Sequence, residues 1–145
     1  MHLIVEADGK RALAKGMQAF QISAAQRLNR ALEARAGVRR RGTVFPDRYH
    51  ARVLTSPTAV RHALAYVLNN WRKHRADRAH PARPVDPYSS GINFGGWVQR
   101  GGAPVLYAAP DGYLRLSTCY PQTWLLERGW ARGGGISAFA VPGSP

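Results

Sequence analysis

The sequence predicts an α/β (α+β) fold class, and three observations carry that expectation. Apolar runs at residues 2–7 and 51–54 have the length and patterning of short strands. Residues 10–36 repeat apolar side chains at three- and four-residue spacing, as an amphipathic helix does. Ser56-Pro57 opens a second helix with a capping hydroxyl followed by a residue suited to the first turn.

Taken in order, Met1-His2-Leu3-Ile4-Val5-Glu6 reads as the end of a buried strand, and Asp8-Gly9 as the turn that leaves it. Leu13, Met17, Phe20, Ala24, Leu28 and Leu32 then form one stripe along the long helix. Gln18, Gln26, Asn29 and Arg30 lie on the opposite face, and Gly37 is a natural stop. Arg39-Arg40-Arg41-Gly42 is a cationic loop. Ala51-Arg52-Val53-Leu54 alternates and reads as the second strand. The helix that begins at Pro57 is expected to run to about Arg75, with Val60, Leu64, Val67, Leu68 and Trp71 as its buried stripe. Residues 76–105, rich in Pro, Gly, Arg and Ser, read as a poorly structured arm. A short helix is expected within 121–130, carrying Trp124 and Leu125. Gly133-Gly134-Gly135 and the Pro-containing end read as a frayed terminus. No internal repeat is present.

The chain has 145 residues, 45% of them apolar, enough for one small core. It holds no run of about 18 apolar residues, so no membrane span is expected. The basic-then-apolar pattern of a signal peptide is also lacking, and the expected compartment is the cytoplasm. A single cysteine, Cys119, excludes an intramolecular disulfide and a cysteine-based zinc site, and fits a reducing environment.

Net charge is +13, from 21 Lys+Arg against 8 Asp+Glu. Residues 1–75 hold 15 of the basic and 4 of the acidic side chains, so +11 of the excess lies there. Eighteen of the 21 cations are Arg, whose planar fork matches phosphate. A nucleic-acid partner is the expectation.

With Val60 at zero on a helical projection, Leu64, Val67, Leu68 and Trp71 fall within about 80°, while Tyr66 falls at about 240° and Asn70 at about 280°. The tyrosine therefore points away from the core stripe, and Asn70 lies one turn from it. His62 and Lys73 flank this face. A phenol is a weak nucleophile at neutral pH, its pKa being about 10. It attacks phosphorus usefully when the phosphate is polarised and held in line.

Val44-Phe45-Pro46-Asp47-Arg48-Tyr49-His50-Ala51-Arg52-Val53-Leu54, followed by Val60-Arg61-His62-Ala63-Leu64-Ala65-Tyr66-Val67-Leu68-Asn69-Asn70, resembles the C-terminal half of the single-tyrosine HUH transposase domain. The likeness is to its REP-associated tyrosine transposase branch and covers residues 2–75. It implies a ferredoxin-like antiparallel sheet with helices on one face, missing here its first strand and helix. It implies that Tyr66 is the nucleophile that forms a 5′-phosphotyrosine link, that Asn70 is the amide of the metal shell, and that His2 is the second His of a His-hydrophobic-His pair. The first His would fall before Met1. Mg²⁺ or Mn²⁺ is the implied metal. Trp71 stands where many relatives have Pro. Residues 1–75 would be a partial catalytic domain and 76–145 a largely irregular tail, within which Asp86-Pro87-Tyr88-Ser89-Ser90 looks like the tail of some long-tailed members.

Three functions follow as expectations. The chain cleaves and rejoins single-stranded or hairpin DNA; or it is a truncated remnant that binds DNA without cutting; or it is a basic nucleic-acid-binding protein with no catalysis. In the first, Arg39, Arg40, Arg41, Arg48, Arg52 and Lys73 contact phosphates and Tyr49 stacks on bases. Trp71 belongs to the core by its helical phase, and His50 is read as structural. A homodimer through a sheet edge left open is part of the same expectation.

Overall fold

In the computed structural model, which describes residues 1–38, 42–102, 107, 109 and 118–143, the helices stand where local signals place them. Helix α1 is Lys10–Ala36. It ends where Gly37 takes a left-handed φ of 67° and donates its N–H to the Glu33 carbonyl, relieving an orphan acceptor at no steric cost. Helix α2 is Pro57–Leu68, and the Ser56 hydroxyl accepts from the Ala59 N–H at 3.2 Å. The expected single helix to Arg75 is interrupted at Asn69, which departs from helical geometry (φ −106°, ψ 14°), and resumes as α3, Asn70–Lys73. Helix α4, Trp124–Glu127, is the short helix expected within 121–130 and is capped by the Thr123 hydroxyl.

The expected antiparallel sheet is overturned, and with it the ferredoxin-like class. Among the described residues there is no β-strand; residues 2–7 and 51–55 are irregular. The one ladder element among the described residues is an isolated parallel bridge between Trp97 and Ile136. The protein is helix-dominated. The reason is physical. Two short strands form a sheet only when one face is buried. Here Leu3 is 44% exposed, Val5 49% and Val53 82%, while Ile4 and Leu54 are only half-buried, so neither run has a fully buried face to reward pairing.

The chain divides into two compact units: Val5–Val53, and Met1–Ile4 with Leu54–Pro145. In the first, α1 carries no buried residue. Leu13, Met17 and Ala24 of its stripe are half-buried, whereas Phe20, Leu28 and Leu32 are exposed.

The second unit holds the core: Leu68, Val85, Ile92, Trp97, Ile136 and Ala138, with Leu64, Ala65, Phe94, Tyr107 and Trp130 packed around it. Val60 and Trp71 are buried as their helical phase requires, while Leu64 and Val67 are half-buried. Most of this core comes from segments whose composition suggests an arm and a frayed end. Residues 76–100 form three single-turn 3₁₀ helices, Ala76–Ala79, Ser90–Asn93 and Val98–Arg100. Trp97 is fixed by an indole N–H donated to the Gly91 carbonyl at 2.8 Å and by an edge-on contact with Phe94. Gly96 is required by close packing, since a Cβ there would lie 2.1 Å from the Trp130 ring.

Residues 134–138 are strapped to the helices. Arg61 donates to the Gly134 and Gly135 carbonyls, Asn69 to the Ser137 carbonyl at 2.9 Å, and Arg72 to the Ala138 carbonyl at 2.6 Å. On their other side, the Val98 N–H donates to Ile136 and the Ile136 N–H to Gly96. Arg72 also reaches the Pro84 carbonyl at 2.9 Å and the Asp77 carboxylate at 3.0 Å. Two cations of the basic excess are thus consumed by the chain's own backbone.

Candidate functional site

The face of α2 opposite its core stripe carries Tyr66, and α3 continues that face with Asn70 and Lys73. His2, from the segment Met1–Ile4 of the same unit, meets the Tyr66 ring edge-on, with centroids 4.9 Å apart and planes at 86°. The Lys73 ammonium lies 4.8 Å from the centroid of the same ring, in range for a cation–π contact. Three of the residues singled out in the sequence, His2, Tyr66 and Lys73, therefore meet, and Asn70 follows Tyr66 by four positions across the break at Asn69. Tyr66, Asn70 and Lys73 are half-buried and His2 is exposed. The Asn70 Oδ1 is buried with no hydrogen-bond partner among the described residues.

The electrostatics of this group are cationic. His2 is held below its ordinary pKa of 6.5, first by partial desolvation of the ring, then by the terminal ammonium, His74 and Lys73. At neutral pH its imidazole is uncharged and able to accept a proton.

The implied divalent metal is tested by this donor set. His2 and Asn70 offer one imidazole nitrogen and one amide oxygen. No group of three His, Cys, Asp or Glu that could hold a metal occurs among the described residues. Mg²⁺ and Mn²⁺ favour oxygen ligands, several of them, usually with carboxylate charge. Here the charges close enough to shift His2 are positive. The orphan Asn70 oxygen is a suitable ligand, but the pair alone does not fit a hard dication, and the chemistry falls to the chain's own residues.

The remaining expected contacts lie elsewhere. Arg48, Tyr49 and Arg52 belong to the unit Val5–Val53 and are exposed. Arg48 and Tyr49 line a groove with Ala14, Gln18, Gln21 and Ala51. Arg39, Arg40 and Arg41 fall outside the described residues. Trp71 is buried, so it is not a stacking platform.

Sequence reasoning missed His74 as a neighbour that depresses His2, and missed the strap of Arg61, Asn69 and Arg72. A signal for the strap existed: at 100° per residue these three fall within about 80° of one another. No described helix is long and apolar enough to cross a membrane.

Comparison with protein-family models, curated proteins and solved structures found no match to this chain.

Proposed function

We propose that this protein binds single-stranded or hairpin DNA and cleaves and rejoins it through a 5′-phosphotyrosine on Tyr66. The observation that carries the reading is the contact of the Tyr66 ring with both a neutral imidazole, His2, and a cation, Lys73. A nucleophilic phenol needs a base for its proton and positive charge for the phosphate it attacks. In the forward step Tyr66 Oη bonds to phosphorus and its proton passes to His2. The P–O3′ bond breaks, and the 3′-oxygen leaves as a hydroxyl after taking up a proton. The strand's 5′ phosphate stays on the tyrosine. Rejoining is the reverse, with a 3′-hydroxyl as nucleophile. The excess of +11 in residues 1–75 supports a polyanionic partner, and Arg48, Arg52 and Lys73 are the phosphate contacts within the described residues.

A second reading is favoured by one observation, the two-donor set at His2 and Asn70. In it the same surface binds DNA and cuts nothing. A labelled hairpin incubated with the full chain, with and without Mn²⁺, separates the two on a denaturing gel. A covalent adduct supports strand cleavage; salt-dependent binding with no adduct under either condition supports the second reading.

A further inference from the structure

The unit Val5–Val53 carries a groove of its own, distinct from the Tyr66 neighbourhood. Part of its lining comes from α1, where Ala14, Gln18 and Gln21 fall at i, i+4 and i+7 and so share a face. The rest of the lining is Arg48, Tyr49 and Ala51. The lining combines one aromatic ring, one guanidinium, two primary amides and two methyl groups. Neither glutamine side chain has a hydrogen-bond partner among the described residues.

Each component selects against other occupants. A phosphate alone would call for several cations, and Arg48 is the one cation among the described residues that line the groove. An apolar peptide would leave two amides desolvated and unpaired, at a cost. A planar heterocycle with a polar edge satisfies all of them. It stacks on Tyr49, whose 37% exposure leaves the ring accessible. It slides past Ala14 and Ala51, the small side chains, and presents its edge to an amide. Among the bases, adenine offers the adjacent acceptor and donor that match a glutamine amide in two parallel hydrogen bonds. Arg48 then takes the phosphate of the same nucleotide.

We infer that this groove binds one unstacked adenine of a DNA strand, with Tyr49 as the stacking ring and Gln18 and Gln21 as the readers of its edge. The inference rests on the DNA reading above and adds a base preference to it.

The test uses the full chain and fluorescein-labelled dT 12-mers, either all thymine or with one central adenine, guanine or purine, read by anisotropy. The adenine strand is expected to bind about tenfold tighter than the all-thymine strand. Purine, which lacks the exocyclic amino group, returns affinity to the thymine level in the unaltered protein. Gln18→Ala with Gln21→Ala removes the adenine preference and leaves binding of the all-thymine strand intact. Tyr49→Ala weakens the adenine strand by about tenfold, and Tyr49→Phe preserves it. Equal affinity for the thymine, adenine and purine strands, or a preference for guanine over adenine, overturns the groove assignment and leaves the DNA reading standing. Failure to bind any strand overturns both.

Discussion

The His2 imidazole stands edge-on to the Tyr66 ring, 4.9 Å between centroids, although the two residues are 64 positions apart in the chain. An imidazole so placed loses part of its hydration, and the cations around it disfavour a further positive charge.

His2 is therefore expected to titrate below 6.5, and NMR of its ring protons reads the midpoint directly. Desolvation is the first cause of the shift, and Tyr66→Ala, which removes a ring packed against the imidazole, should move the midpoint upward, toward 6.5. Lys73→Gln moves it in the same direction by less. The native pKa lies below the unfolded one, so the unfolded chain binds more protons between the two values. The contribution to stability is complete above about 6.5 and is lost as pH falls through the lower native value.

Arg72 ties three separate segments together through the Ala138 and Pro84 carbonyls and the Asp77 carboxylate. Its guanidinium also lies 5.1 Å from the Trp71 ring centroid and 5.3 Å from that of Phe139. Arg72→Ala leaves the partners unpaired in a largely buried place and is expected to destabilise by about 2–4 kcal/mol in urea unfolding. Arg72→Lys should recover only a minor part, since an ammonium cannot reproduce the fork or the stacking.

Two glycines give opposite expectations. Gly96→Ala forces a methyl group against Trp130 and Phe94, at 2.1 and 2.6 Å before relaxation, and should lower stability by about 1–3 kcal/mol. Gly16 sits in the interior of α1, where an added methyl would meet nothing within 4 Å. Gly16→Ala should raise α1 helicity, by about 0.5–1 kcal/mol, visible in circular dichroism at 222 nm.

The local rules served well where the signal was local. The stripe from Leu13 to Leu32 and the stop at Gly37 locate α1 over Lys10–Ala36, and Ser56-Pro57 locates the start of α2. Helical phase alone separates Tyr66 from the buried Val60, Leu68 and Trp71. It failed where structure depends on distant partners. The apolar run at 2–7 has strand composition, but composition does not supply a neighbouring strand, and Leu3 and Val5 stay exposed. Conversely, Val85, Ile92, Trp97 and Ile136 lie isolated among Gly, Pro and Arg, with no periodicity to betray them. They are core because Arg61, Asn69 and Arg72 hold residues 134–138 against the helices through backbone carbonyls, a kind of contact that side-chain patterning does not encode. The proximity of His2 to Tyr66 depends on the path of the intervening chain, and nothing in the spacing of the two residues implies it.

The central claim, that Tyr66 is the nucleophile, is tested most directly by locating the covalent bond. After reaction with a single-stranded hairpin, tryptic digestion and nuclease trimming, mass spectrometry should find a phosphonucleotide on the peptide His62–Arg72, whose one tyrosine is Tyr66. The adduct should vanish in Tyr66→Phe. An adduct of unchanged yield in Tyr66→Phe, or a phosphonucleotide carried by another peptide, would contradict the account.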